Sequence, residues 1–190
     1  MQSDRKSLES KLKELKRSTS DHILNLKEAI IKLNEEKTSY ISYFTYSFNI
    51  AHHLYSDNMC LASYHIKNIG NKPIENPQII LKLSDAGAFS FHGKYINSGS
   101  RVPSKLKNGW IRLNDPANSQ EFHLKPIEDT IILPGEMLTF SSFQIIWKPS
   151  EEYSGSITGY THVSDMTDGV AALNAINISG TISIEEDINE

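Results

Sequence analysis

The chain has 190 residues, 38% of them apolar and 22% charged, with a formal net charge of −4. That length carries one full domain plus an appendage and is too short for two ordinary domains. The mildly acidic balance argues against nucleic acid as a partner, because phosphate binding rests on clustered Lys and Arg. The single cysteine, Cys60, excludes an intramolecular disulfide and reads as a small core residue.

The first twenty residues, "MQSDRKSLESKLKELKRSTS", are charged throughout and hold neither an apolar core nor a small-residue cleavage site. A conventional secretory signal is therefore not expected. No run of about 18 apolar residues occurs, so no membrane span is expected. The expected setting is the cytoplasm, or a particle assembled without a secretory signal.

From Ser7 to about Tyr43 the chain has no Gly or Pro and is rich in good helix formers. A mostly apolar stripe runs through Leu8, Leu12, Leu15, Thr19, Ile23, Leu26, Ile30, Leu33, Lys37, Tyr40 and Phe44. The steps alternate between three and four, with two consecutive fours around Thr19, which is a heptad seam with one stutter. Glu9–Lys13 and Glu28–Lys32 stand at helical pairing distance. A rod of about 55 Å results, too long to lie wholly on one small domain. Two readings follow. The rod oligomerises as a dimer or trimer through Leu12, Leu15, Ile23, Leu26, Ile30 and Leu33, or it stays within one chain, packed along its own domain as a single helix or folded back as a hairpin at "STSD".

After Lys37 the period becomes two. Strands are expected in "FTYSFNI", around Cys60–Ile66, in "QIILKLS", "AFSF", "GWIRL", "EFHL", "DTIIL", "MLTFSSFQIIW" and "SITGYTHV", and in "NAINISGTISI" with Ile176, Ile178, Ile182 and Ile184 on one face. Such a series of short strands, with no second long helix, predicts a mainly β domain built as an antiparallel sandwich. The segment 92–108, rich in Gly, Ser and Lys, reads as a surface loop. The division expected is a helical segment over 1–40, a β domain over 41–185 and an acidic tail over 186–190.

The elbow "YHIKNIGNKPIENPQIILKLS" carries Asn68, Gly70, Pro73, Asn76 and Pro77; a second turn carries Pro134, Gly135 and Glu136 before a long strand with Phe140 and Trp147. Gly70 and Gly135 are the residues expected to supply positive φ. Over residues 60–165 this pattern resembles bacterial immunoglobulin-like sandwiches of the CARDB and fibronectin-III-like kind. The helical rod in front departs from that pattern. The resemblance implies adhesion, spacing or scaffolding without catalysis, with the elbow a corner rather than a site.

Motifs for chemistry are sparse. "AFSFHGKY" approaches a phosphate loop but places Tyr95 where a magnesium-binding hydroxyl belongs. Adjacent His52 and His53 would point to opposite strand faces, and His65, His92, His123 and His162 are scattered. Asp165 and Asp168 before Gly169 lack the alternating ligands of a calcium loop. The acids of "EDT" and "PSEEY" read as solvated loop residues. No catalytic group, cofactor or metal site is expected. Trp110, Arg112, Tyr153 and Tyr160 form the candidate ligand face, for a glycan held by stacking.

These readings point to a non-catalytic structural or adaptor protein. Its rod joins copies of an immunoglobulin-like interaction domain, as in a phage, spore or cell-surface assembly. The alternatives are a glycan- or metal-binding module and an intracellular regulator that docks a partner protein through its helix.

Overall fold

A computed structural model describes residues 2–34, 37–51, 56–84, 89–100, 109–148, 152–164 and 168–181. The chain divides into two compact units, 1–37 and 38–190. The first is α1 (Gln2–Asn34), 33 residues long, a rod of about 50 Å. It runs unbroken through "STSD", so no hairpin forms there. Thr19 Oγ1 and Ser20 Oγ donate to the carbonyls of Leu15 (2.8 Å) and Lys16 (2.9 Å), within their own helix. Their hydroxyls are thereby satisfied without breaking it. The expected seam overran the helix: Tyr40 and Phe44 lie in the first strand, where alternation with Ser42 buries them.

The second unit contains β1 (Tyr40–Asn49), β2 (Asn58–Asn68), β3 (Ile74–Glu75), β4 (Gln78–Leu83), β5 (Phe89–His92), β6 (Tyr95–Asn97) and β7 (Trp110–Arg112). It continues with β8 (Glu121–Pro126), β9 (Ile131–Ile132), β10 (Met137–Trp147), β11 (Glu152–His162), β12 (Val170–Ala171) and β13 (Ile176–Thr181). One sheet has the order β1-β2-β10-β5. The other runs β12-β11-β4-β8-β7-β6, with β13 also on β11, and β3 pairs β9 apart from both. The pairs are antiparallel except β6 with β7, where the expected surface loop contributes a parallel edge strand. Ile182, Ile184 and the acidic tail lie outside the described residues.

Alternation places Cys60, Ala62, Tyr64 and Ile66 of β2 opposite Ile79 and Leu81 of β4 and Ile157 of β11 in a single core. Phe91 of the first sheet meets Phe122 of the second at 4.3 Å between ring centroids. Strict alternation would put Phe140 and Phe143 on opposite faces, yet both are buried. A bulge between them resets the register, and Ser142 takes up the extra residue at φ 56°.

The elbow is held by Asn68, which is fully buried. Its Nδ2 donates to Lys72 O and Ile132 O, both at 2.9 Å, and its Oδ1 accepts from Gly70 N–H at 2.9 Å. Its backbone N–H and C=O pair with Glu136 and Gly135 at 3.0 Å. One side chain thus ties two turns together. Gly135 has positive φ (82°) as expected, but Gly70 does not; Asn76 does, at 44°. Asn76 exchanges bonds with Thr130, which fixes it there. Asn68→Ala removes three hydrogen bonds from a fully buried turn, with the Gly70 N–H keeping a second partner in the Ser39 carbonyl at 2.9 Å, and is expected to cost about 2 kcal/mol in urea unfolding. A loss below about 0.5 kcal/mol would mean that water replaces the amide.

Candidate interaction surface

On α1 the seam residues are exposed: Leu8 72%, Leu12 53%, Leu15 64%, Ile23 50%, Leu26 62% and Ile30 54%. Leu33 is helical, but its side chain lies outside the described residues. Leu24 and Ile31, absent from the expected seam, are equally bare at 58% and 63%. At 100° per residue they widen the stripe of the second half to roughly half the helix circumference. Their seven-residue spacing was the signal for them, running one residue beside Ile23 and Ile30.

The candidate glycan face does not come together. Trp110 is buried against Phe140, with ring centroids 5.3 Å apart, and Tyr153 is buried beside Trp147 at 6.0 Å. Both point into the core because their strands turn those positions inward. Arg112 is also buried, with its guanidinium 4.2 Å from the Phe122 ring centre. It donates to the carbonyls of Asp115 (3.2 Å), Glu121 (3.0 Å) and Asn118, and to Asn114 Oδ1 (3.1 Å), so it organises a loop. Tyr160 alone is part-exposed, on the outer side of β11, with Lys82 Nζ 5.7 Å from its ring centre.

Beside Tyr160, Lys82 meets Glu121 at 2.9 Å and Glu121 meets His123 at 3.1 Å. The lysine hydrogen bond holds the Glu121 carboxyl below its ordinary range and raises the Lys82 ammonium. On the outer face of the first sheet, His65 sits between Thr45 Oγ1 (2.8 Å) and Thr139 Oγ1 (3.0 Å) and stacks on Tyr43. Burial lowers its pKa, and the ring bridges three strands. The Cys60 thiol is buried and pushed up to about 11 by desolvation, as befits a core residue.

Among the described residues no three His, Cys, Asp or Glu side chains gather as metal ligands. His52, His53 and Asp165 lie outside those residues. A cleft of about 450 Å³ opens near Gly109, Thr130 and Ser141, and Glu128 is the one ionisable residue among the described residues that line it. No described helix is long and apolar enough to cross a membrane.

At the distal end of β1 a second apolar surface is exposed. Tyr46 (43%), Phe48 (41%) and Ile50 (41%) continue the core-facing side of the strand into solvent. Phe48 packs edge-on against Trp147, whose buried indole N–H meets no acceptor among the described residues. No known protein family matches the chain, and no curated protein is similar to it.

Proposed function

We propose that this chain is a non-catalytic structural protein whose helical rod self-associates and displays an immunoglobulin-like β domain. The observation that carries this reading is the exposed stripe on α1. Six seam side chains are at least half bare, and fully burying a Leu or Ile is worth about 1.5–3 kcal/mol. Together they offset the cost of associating two or three chains, which is about 4–15 kcal/mol. The narrow first half suits a two-stranded seam, while Leu24 and Ile31 in the second half ask for a broader contact. Joining β domains through a rod raises avidity, which gives a weak interaction module a use for it.

Light scattering on the full chain and on a rod-broken form (Ile23→Asp with Ile30→Asp) tests the reading. A dimer or trimer that becomes a monomer on substitution is expected. A monomeric full chain would remove self-association and favour docking of a foreign helix.

A further inference from the structure

The free edge of the first sheet is protected along only part of its length. β1 is outermost. The Phe44 N–H donates to Asn174 Oδ1 at 2.8 Å, and the Phe44 carbonyl accepts from Asn174 Nδ2 at 3.0 Å. Leu173 N–H donates to the Ser42 carbonyl at 2.8 Å. Beyond Phe44 this clip ends. Outward-facing backbone groups recur at every second residue of an antiparallel strand. The N–H and C=O of Tyr46 and Phe48 therefore also point away from β2, and no partner meets them among the described residues.

Exposed edges are normally blunted by Lys, Pro, a bulge or a covering segment. "FTYSFNI" has no charge and no proline, and its exposed Tyr46, Phe48 and Ile50 lie on the side that faces the core.

We propose that residues 45–49 of β1 pair antiparallel with the same residues of a second copy, about a two-fold axis at Ser47. The available register selects that centre. An axis at Tyr46 would call on Phe44, already held by Asn174. An axis at Phe48 would run past Asn49, where the strand ends. At Ser47, Tyr46 of each copy faces Phe48 of the other. The four outward backbone groups on each strand are then satisfied, and two aromatic cross-strand pairs form. On the outer face Ser47 meets Ser47, and Thr45 meets Asn49. The segment is neutral, so two copies meet without like-charge repulsion. This pairing uses no residue of α1.

The test is oxidative cross-linking of the full chain carrying Ser47→Cys, Thr45→Cys or Asn49→Cys, all on exposed positions. Each is made with the rod intact and with the rod broken as above. Cys60 is buried and stays out of the reaction. Disulfides need the Cβ atoms about 4 Å apart, so Ser47→Cys is expected to cross-link at least about tenfold faster than either other variant alone. An equimolar mixture of Thr45→Cys and Asn49→Cys, in which random pairing makes about half of the dimers mixed, is expected to reach about half that rate. Equal rates for all three, or no cross-linking of Ser47→Cys, overturn the pairing and leave the edge to a foreign strand. A pattern that vanishes when the rod is broken overturns it too, since the rod then supplies the association. If the full chain is monomeric by light scattering while the pattern holds at high concentration, the rod reading fails and this one stands.

Discussion

Replacing Arg112 with alanine is expected to lower the stability of the β domain by about 3 kcal/mol, among the larger losses a single substitution causes. Arg112 is only 4% exposed, and among the described residues no carboxylate side chain pairs with it. Backbone carbonyls from 115 to 121 and the Asn114 amide oxygen converge on it instead. Hydrogen bonds to a charged donor are each worth about 1.5–3 kcal/mol, and part of that returns as water reaches the exposed loop carbonyls. Asn114 then loses one of the partners that fix it between Glu121 O and His123 N–H. Arg112→Lys should recover less than half of the loss, because an ammonium has three donors and no planar fork to span the loop. Urea midpoints for the three proteins, with limited proteolysis between 113 and 120, measure this. If alanine costs under about 0.5 kcal/mol, the loop holds itself and the guanidinium is a passenger.

Arg112 also shows where the sequence stops being informative. The strand around it is three residues long, and a period of two cannot tell inside from outside over such a span. Its neighbour Trp110 suggested a stacking platform, but the core partner Phe140 lies 30 residues later and is invisible to local reading. Long elements were legible for the opposite reason. The absence of Gly and Pro marks α1, and the alternation of Cys60, Ala62, Tyr64 and Ile66 marks β2. The strands that escaped notice, β3, β6 and β12, have two or three residues each and exist because a neighbouring strand offers a partner.

The same limit applies to parity and turns. "FSSF" in β10 reads as interrupted alternation until the bulge at Ser142 is seen to return both phenylalanines to the core. In the elbow, Gly70 and Asn76 are both residues that tolerate positive φ. Which one adopts it is decided by Asn68 Oδ1 holding the Gly70 amide and by Thr130 holding Asn76. The candidate surface was half legible. Heptad spacing announces the stripe of α1, whereas the bare edge of β1 depends on where Asn174, far along the chain, stops covering it.

Gly159→Ala is expected to destabilise the domain by about 3 kcal/mol, the upper end of what overpacking costs. Gly159 lies in β11 opposite Leu81, under the rings of Tyr64 and Phe44. A Cβ there would overlap Tyr64 Cε2 and fall 2.8 Å from Phe44 Cζ, closer than such atoms approach. The Tyr64 ring is not free to swing aside. The Tyr64 hydroxyl is bound at 2.9 Å to both Ser42 Oγ and Thr161 Oγ1, and the backbone of Phe44 is held by Asn174. Relief must come from β11 itself, which would strain its ladder with β4. This account makes a sharper demand than a lowered melting point. In a Tyr64→Leu background the nearer clash is gone, and the space vacated by that ring lets the Phe44 ring packed against it move off the added methyl. There Gly159→Ala should be close to neutral, because alanine also restricts the unfolded chain. A double-mutant cycle should therefore return a coupling of about 2–3 kcal/mol between the two positions. If Gly159→Ala costs the same in both backgrounds, the glycine serves backbone geometry rather than the approach of the aromatic rings, and the tight contact between the two sheets has another cause.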